Sequence, residues 1–376
     1  MINNARFVGQ RLDLTSADVI CCPPPLFHCF GLVMGFMTSL IHGSTIVFPS
    51  DHFNADLVID SVHRYCCTTL LGVPTMFIAE LEICQSKETV PSGLRKGLIA
   101  GSTISQTLVD RLSSDMGLGV MVIAYGMTET GPVSFMTSSQ DAPDKRIGTV
   151  GRAMPHTQAK VIDRTGQLVH RGMRGELCVS GHGLQAGYLN NQAKTKEVMR
   201  LDETGTMWMH TGDECIIDDS GYCRVTGRIK DIIIRGRPLS LVLLRLSGHY
   251  LIRYLLGGEN IFPAEIEERL IAHPSIVEAS VVGVPDAKYG EVVASFVKTA
   301  SQRADRPDPQ EIQNWVRKAL SKSKTPQYLF WVGEGEVCQE FPTTGSGKHQ
   351  KHLLREIANQ ALRRSRTMCE NCPPGA

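Results

Sequence analysis

The sequences KGLIAGST, Lys96–Thr103, and GVMVIAYGMTET, Gly119–Thr130, are apolar runs that each end in glycine and hydroxyl residues. Runs of this length and composition are typical of strands buried on both faces of a sheet. Similar runs between Ala17 and Glu82 alternate with helical patterns such as Asn54–Arg64. This alternation predicts a parallel α/β sheet, in which ligands bind at the carboxyl ends of the strands.

The character of the sequence changes after about Gly148. Closely spaced β runs with turn sequences at Asp163–Gly166 and Asp218–Gly221 predict a small β-barrel or antiparallel sheet. Helix, strand, strand, helix and strand patterns follow from about residue 232. The predicted fold class is an α/β large domain, made of a partial parallel sheet plus a small β-barrel, with a C-terminal α+β small domain. The predicted segments are 1–148 (partial sheet), 149–226 (barrel), 227–231 (connection), 232–360 (small domain) and 361–376 (disordered tail).

Charge and composition favour a small-molecule partner. Lys and Arg number 39 and Asp and Glu 38, so the net charge of +1 provides no strong field for nucleic acid or an anionic membrane. No apolar run reaches the roughly 18 residues of a membrane-spanning helix. The 12 cysteines include adjacent pairs in strand-like runs, and no signal peptide precedes them, which predicts reduced thiols in an intracellular protein.

The glycine-rich sequence FPTTGSGKHQK, Phe341–Lys351, has the composition of a phosphate-binding P-loop but does not fit its pattern. That loop requires Gly, four residues and then Gly-Lys followed by Ser or Thr, so that backbone N–H groups converge on the phosphates. Pro342 lies where the first glycine is required, and His349 replaces the hydroxyl residue that would hold Mg²⁺. If Lys348 acts on a nucleotide, the rest of the site must lie elsewhere in the chain.

Six sequence motifs in one order carry a resemblance to a known family. They are PPPLFHCFGLVMG (Pro23–Gly35), AYGMTETG (Ala124–Gly131), GELCVSGHGLQAGYLN (Gly175–Asn190), WMHTGD (Trp208–Asp213), GRIKDIIIRG with GENIFPAEIE (Gly227–Gly236 and Gly258–Glu267) and PTTGSGKHQK (Pro342–Lys351). Together they resemble the adenylate-forming superfamily, and within it the medium-chain type of acyl-CoA synthetase. The resemblance covers the chain from about residue 2 to residue 360.

The resemblance implies a two-step reaction. A carboxylate attacks the α-phosphate of ATP to give acyl-AMP and pyrophosphate, and the thiol of coenzyme A then displaces AMP to give a thioester. The implied cofactors are ATP, Mg²⁺ and coenzyme A, and the implied substrate is a fatty or polyketide-type carboxylic acid of fungal fatty-acid or toxin and other secondary metabolism. The chain is thus predicted to be an acid–thiol ligase with small-molecule partners, without nucleic acid or a transmembrane segment.

The resemblance also assigns residues to the nucleotide. Thr128 would offer a hydroxyl to phosphate, and Glu129 a hard oxygen ligand to Mg²⁺. Asp213 would accept both ribose hydroxyls, and Arg228 would reinforce the ribose or phosphate contacts. The remaining residues of the implied nucleotide site are Tyr125 and Gly126.

The resemblance also implies roles for two lysines that depend on movement of the small domain. Lys348 resembles the family's mobile lysine, which a glycine-flexed loop carries into the large-domain site to bridge carboxylate and phosphate during adenylation. Lys230 matches the hinge, within 227–231, about which the small domain rotates as a lid between the two half-reactions. Rotation would bring a loop toward the thiol, and the implied coenzyme A channel in that loop consists of Gly258, Glu259 and Asn260. The implied acyl pocket consists of His28, Gly101 and Ser102.

The sequence departs from the family pattern at two places. It begins MINNARFVGQRLDL, and the family's phosphate loop and the sheet subdomain before that loop have no counterpart in it. The segment 237–257 is an atypical insertion between two motifs that the family joins directly, and we interpret it as a retained intron translated in frame. The chain ends in Pro-Gly-Ala instead of a peroxisomal tripeptide, so either a cytoplasmic or a peroxisomal location is consistent with it.

Two alternative functions remain. Absence of the phosphate loop favours a truncated, catalytically inactive binder of nucleotide and acyl groups, whereas the presence of Thr128, Glu129, Asp213 and Lys348 favours an enzyme. The second alternative is an amino-acid adenylation domain, against which the lack of a carrier domain after residue 360 argues. The sequence specifies neither the acid nor its chain length.

Overall fold

The computed structural model describes residues 1–101, 106–236, 243–246, 249–252, 259–299, 306–333, 335–345 and 347–370. The chain divides into two compact units. Unit 1 comprises Met1–Ile229 together with Gly345–Lys348, and unit 2 comprises Lys230–Thr344 together with the chain from His349 onward. The division after Ile229 falls inside the short 3₁₀ helix Ile229–Asp231.

Unit 1 contains a seven-stranded sheet. Its strands are β1 (Val19–Cys21), β2 (Thr45–Val47), β3 (Thr69–Gly72), β4 (Lys96–Ala100), β5 (Val120–Gly126), β6 (Val133–Met136) and β7 (Arg152–Ala153). The order is β2-β1-β3-β4-β5-β6-β7, with parallel pairing from β2 to β5 and antiparallel pairing of β6 and β7. The predicted parallel sheet is therefore present, and the two apolar runs with glycine and hydroxyl ends form β4 and β5.

Helices cover both faces of this sheet, which separates two apolar cores. They are α1 (Ile2–Arg11), a π-helical segment (Phe30–Met37) that continues into α2 (Thr38–His42), α3 (Ala55–Arg64), α4 (Pro74–Ser86), α5 (Gln106–Met116) and α6 (Pro143–Gly148). Successive strand residues point to opposite faces, so Leu70 packs with α3, α4 and α5 and Leu71 packs with α1. The start of α3 is set locally, because the side chain of Asn54 accepts a hydrogen bond from the N–H of Leu57.

The second sheet of unit 1 is antiparallel, as the closely spaced β runs predict. Its elements are β8 (Thr157–Ile162), β9 (Arg174–Gly181), α7 (Gln192–Val198), β10 (Met199–Leu201), β11 (Met207–Ile217) and β12 (Cys223–Arg228). Strand β9 pairs with β8 and with the long strand β11, whose other edge is shared by β10 and β12. Both predicted turns are present, since the N–H of Gly166 donates to the carbonyl of Asp163 and that of Gly221 to Asp218.

Unit 2 is an α+β unit with its own sheet. Its elements are β13 (Ile233–Arg235), β14 (Leu243–Leu246), β15 (His249–Ile252), β16 (Glu259–Ile261), α8 (Pro263–Ile271), β17 (Ile276–Asp286), β18 (Gly290–Thr299), α9 (Pro309–Arg317), β19 (Tyr328–Trp331) and α10 (Lys351–Glu370). The sheet has the order β16-β13-β18-β17, and β19 pairs in parallel with β18. Helices α8 and α9 contribute to one core and α10 to the other. The β14–β15 hairpin lies in the atypical segment 237–257, the rest of which lies outside the described residues.

The predicted disordered tail from residue 361 is wrong for its first ten residues, because α10 continues to Glu370. The apolar pattern of the helix does not stop at residue 360. Leu362 packs against the core to which Leu354 and Ala358 contribute their buried side chains. None of the helices in the described part of the chain is long and apolar enough to cross a membrane.

The loop predicted for the coenzyme A channel is in part a strand. Glu259 and Asn260 lie in β16 and pair with Arg235 and Ile234 of β13, so their backbone is held in a ladder. Gly258 lies outside the described residues.

Candidate active site

The turn after β5 presents the candidate phosphate and metal residues. A side chain at Gly126 would overlap the carbonyl oxygen of Pro132, so this close approach of two backbone segments requires glycine. The following residues Thr128–Thr130 form a 3₁₀ turn that ends at Gly131 in the left-handed region, with φ of +89°. The backbone thus holds the turn in one conformation at the carboxyl end of a sheet strand.

Asp213 is the candidate ribose-binding carboxylate, and it lies on β11 opposite Arg228 of β12. The hydroxyl of Tyr125 donates a 2.7 Å hydrogen bond to its Oδ2 atom, and Nε of Arg228 lies 3.3 Å from Oδ1. Because the Asp213 side chain is only 7% exposed, its charge depends on such partners. Burial, and then the charge of Asp213, raise the pKa of Tyr125 well above its usual value, so the phenol stays a donor.

Glu129, the candidate ligand for Mg²⁺, is fixed by the segment that precedes α7. Its Oε1 atom accepts a 2.8 Å hydrogen bond from the hydroxyl of Tyr188, and its carbonyl accepts one from the N–H of Gln185. Burial, followed by the hydrogen bond to Glu129, raises the pKa of Tyr188. The carboxylate is therefore oriented before any ligand arrives.

Tyr125, Thr128, Glu129 and Arg228 line a cavity of about 210 Å³ within unit 1. Of the residues predicted to contact the acyl group, His28 and Gly101 line it, and Ser102 lies outside the described residues. Its apolar lining consists of Pro24, Pro25, Phe30, Met34, Val73 and Met76. One cavity therefore combines apolar side chains with most of the residues predicted to bind the nucleotide, Asp213 excepted.

Lys348 lines the same cavity, because the segment Gly345–Lys348 groups with unit 1. Burial, and then the positive charge of Arg228, lower the pKa of Lys348, whereas Asp213 and Cys29 act in the opposite direction. The residue as a whole remains exposed, so we attribute the desolvation to the ammonium end of the side chain. The structure thus brings the predicted lysine beside the predicted nucleotide residues.

Glycine at position 347 allows this approach. Gly347 has a φ of +80°, and a Cβ atom there would lie 3.1 Å from Oγ1 of Thr75 and 3.2 Å from Cγ2 of Val73. Both the conformation and the narrow space disfavour any side chain at that position.

His28 is oriented as a lining residue. Its Nδ1 atom lies 3.1 Å from the backbone N of Phe30, which donates to it, so the neutral ring carries its proton on Nε2. Desolvation, and then the positive charge of Lys348, lower the pKa of His28. A neutral imidazole is consistent with the predicted place of His28 in the acyl pocket, because the reaction of an ionised acid needs no proton abstraction.

Cys29 and Tyr188 were missed by the sequence analysis. Sγ of Cys29 lies 3.5 Å from Oγ1 of Thr128, and Tyr188 binds Glu129 as described above. Both residues lie inside the sequence motifs that carry the family resemblance, so the motifs pointed to these segments of the chain. The individual contacts did not follow from the motifs, since Tyr188 and Glu129 are 59 positions apart.

The other predicted site residues belong to unit 2. Lys230 is the first residue of that unit, and Ser321 donates a 3.4 Å hydrogen bond to Glu259. Unit 2 also has a wider depression of about 1020 Å³ beside His273 and Trp315, but no predicted site residue lines it. We therefore place the candidate site in the cavity of unit 1.

The fold consists of a parallel sheet, an antiparallel sheet and an α+β unit. The site combines a Thr-Glu turn, a buried carboxylate and a lysine that lines the cavity. Together these features are typical of adenylate-forming enzymes. The chain belongs to the AMP-binding enzyme family. The family model described as AMP-binding enzyme matches residues 1–189, and that of the AMP-binding enzyme C-terminal domain matches residues 265–348.

Known proteins of this class are similar over nearly the whole chain. The acyl-CoA ligase sidI of Aspergillus fumigatus is 46% identical over 97% of this chain and 58% of its own length. The mitochondrial medium-chain acyl-CoA ligase of Rattus norvegicus is 36% identical over 96% of this chain and 54% of its own length. ATP-bound MatB from Rhodopseudomonas palustris superposes with a TM-score of 0.77 at 28% identity, over 96% of this chain and 64% of that structure. The family and fold predictions are confirmed, and the chain spans little more than half the length of these two curated relatives.

Proposed function

We propose that the protein is an acyl-CoA ligase, which activates a carboxylic acid as acyl-AMP and transfers the acyl group to coenzyme A. The observation that carries this proposal is the unit 1 cavity in which Lys348, Thr128, Glu129 and Arg228 meet. Relatives named as acyl-CoA ligases support the same reaction. Both steps balance: a carboxylate oxygen bonds to the α-phosphorus as pyrophosphate leaves, and the thiol sulfur then bonds to the acyl carbon as AMP leaves and the thiol proton is lost.

In the first step the chain positions two anions that repel each other. Asp213 would accept the ribose hydroxyls, with Tyr125 and Arg228 holding its carboxylate in place. Lys348 and the hydroxyl of Thr128 would stabilise negative charge between the acid and the α-phosphate. Because the groups are fixed before reaction, their stabilisation of the transition state needs little reorganisation.

Glu129 fits a role as ligand for Mg²⁺. Mg²⁺ is usually held by one or two carboxylates together with substrate phosphates, and a carboxylate oriented by Tyr188 matches that donor set. The ion would supply positive charge against the phosphates of ATP.

The second step would use unit 2. Rotation about Lys230 would withdraw Lys348 from the cavity and present the segment with Glu259 and Asn260 to the thiol. Together with these two residues, Gly258 would complete the predicted coenzyme A channel.

The substrate class that we infer is a fatty or polyketide-type acid of fungal fatty-acid or secondary metabolism, including toxin formation. The apolar lining of the cavity, with Met34 and Met76, supports an acyl substrate. We also infer an intracellular, cytoplasmic or peroxisomal, location, which the ten described free cysteines support. Microscopy of a fluorescent fusion expressed in a fungal host distinguishes the two compartments.

The test is acid-dependent release of pyrophosphate by the purified chain with ATP and Mg²⁺, over a panel of short to long fatty acids. We expect release for a subset of acids, loss of release in Lys348→Ala, and normal release in Lys318→Ala, an exposed lysine of unit 2. In the presence of coenzyme A, the amount of pyrophosphate released must be matched by the amount of acyl-CoA formed.

Other results identify the alternatives. Binding of a non-hydrolysable acyl-AMP analogue without any release from the folded chain would make the protein an inactive binder. Pyrophosphate exchange with amino acids instead of fatty acids would make it an amino-acid adenylation domain.

A further inference from the structure

Three potential metal ligands meet in the antiparallel sheet of unit 1, away from the cavity lining. Glu176 and Cys178 are two positions apart on β9, so their side chains lie on the same face of the strand. His210 on β11 is the direct cross-strand partner of Cys178. The ligand atoms of all three residues lie within 4.8 Å of one another.

The distances match a tetrahedral metal centre. Nδ1 of His210 lies 3.6 Å from Sγ of Cys178 and 3.1 Å from Oε2 of Glu176. In tetrahedral zinc sites a sulfur at about 2.3 Å and a nitrogen at about 2.0–2.1 Å from the ion are about 3.6 Å apart. Only small side-chain shifts would therefore be needed to admit an ion.

Burial and charge also suit a divalent ion. Cys178 is fully buried, whereas the side chains of Glu176 and His210 are 24% and 14% exposed, which leaves access from one side. A thiolate and a carboxylate together carry two negative charges, which a divalent cation neutralises.

We propose that Glu176, Cys178 and His210 form a binding site for a thiophilic divalent cation of the Zn²⁺ class, with water as the fourth ligand. The donor set of one sulfur, one nitrogen and one oxygen selects such ions over Mg²⁺, which prefers oxygen ligands alone. This inference does not depend on the proposed acyl-CoA ligase function.

Occupation of the site would restrain the backbone just before Asp213, the candidate ribose-binding residue. Oε1 of Glu176 accepts a 3.2 Å hydrogen bond from the N–H of Gly212, the residue before Asp213. The hydroxyl of Thr211 donates to the carbonyl of Leu177 on the same strand as the ligands. A cation bound through the other oxygen of Glu176 keeps this bond and restrains the carboxylate that makes it.

Metal binding here must displace a proton. Burial, and then the negative charge of Glu176, raise the pKa of the Cys178 thiol to about 12. Because the ion binds the thiolate, affinity is expected to increase as the pH rises, with one proton released per ion from this residue.

The test is titration of the metal-stripped full chain with Co²⁺, followed by displacement with Zn²⁺. We expect one equivalent of Co²⁺ to produce tetrahedral visible bands and a near-ultraviolet thiolate charge-transfer band, both of which Zn²⁺ abolishes. Cys178→Ser should lose the charge-transfer band, and His210→Gln should weaken Zn²⁺ binding by at least about tenfold. Cys66→Ser, which removes an exposed thiol, should change neither.

A second measurement does not depend on the folding of the variants. In the natural sequence, Zn²⁺ should raise the urea midpoint of unfolding and slow the alkylation of Cys178 that accompanies unfolding, as read by peptide mass spectrometry, without protecting Cys66. Failure of the chain to take up a stoichiometric ion, or a thiolate band that survives in a folded Cys178→Ser variant, would overturn the proposal.

Discussion

Lys348 is the residue whose protonation the proposed adenylation step requires. Its lowered pKa means that the folded protein loses this proton at a lower pH than a free lysine does. Pyrophosphate release should therefore decline on the alkaline side as the pH passes through that lowered pKa. In Lys348→Arg the guanidinium stays charged, so we expect a slower reaction whose alkaline decline moves to higher pH.

A pH profile of pyrophosphate release for the two proteins checks this prediction. Profiles that coincide on the alkaline side after scaling would show that another group titrates there.

Tyr125 is the second residue whose substitution should have a measurable effect of its own. Its hydroxyl donates to the largely buried carboxylate of Asp213, so Tyr125→Phe leaves that charge with fewer donors. Loss of a hydrogen bond to a charged group costs about 1.5–3 kcal/mol, and we expect ATP to bind about tenfold more weakly or worse. Equilibrium binding of ATP measures the effect, with Tyr65→Phe, an exposed tyrosine of unit 1, as the control. Equal affinities of the two variants would contradict the prediction.

The end of β5 and its turn act as one element, and Gly126 is where its backbone packs most closely. In Gly126→Ala the new methyl group would overlap the carbonyl oxygen of Pro132, so one backbone segment must move. We expect a decrease of about 1–3 kcal/mol in the free energy of unfolding, and loss of pyrophosphate release because Thr128 and Glu129 follow directly.

Gly119→Ala is the matched control, since a Cβ atom there meets nothing within 4 Å. Urea unfolding and pyrophosphate release should distinguish the two alanine variants. Similar stability and activity would mean that the turn tolerates the extra atom.

Elements with strong local patterns were predictable from the sequence, and those set by contacts were not. The apolar runs of β4 and β5 and the turn at Asp163–Gly166 follow from residue types alone. The end of α10 was misjudged because its continuation depends on Leu362 reaching a core formed elsewhere in unit 2. Likewise, β16 is a strand because β13 pairs with it.

The candidate site shows the same division. The motifs identified Thr128, Asp213 and Lys348 as candidates, because a motif is recognised from the order of residue types in the sequence alone. The contact between Tyr125 and Asp213 spans 88 positions, so only the fold could supply it. Contacts of that kind are what turn a set of motifs into one cavity.

At the scale of the whole molecule, the division before Lys230 suggests a way to test the two proposed half-reactions separately. Proline at this position would fix φ and restrict Ile229, and so should hinder rotation of unit 2. We expect Lys230→Pro to slow acyl-CoA formation by at least about tenfold, while adenylation changes little. Lys230→Ala, which removes the charge but keeps backbone freedom, is the control.

Single-turnover measurements of acyl-AMP formation and of its consumption by coenzyme A distinguish these steps. Equal slowing of both in Lys230→Pro would argue against a hinge at this position.

Gly347 and Lys348, which complete the unit 1 cavity, are encoded far downstream of the rest of its lining. A message that terminates between codons 237 and 347 would still specify Tyr125, Asp213 and Arg228, but not Lys348. Its product would retain groups for nucleotide and acid without the group proposed to join them. Premature-stop alleles in this interval are therefore expected to lose the proposed adenylation even where their products accumulate.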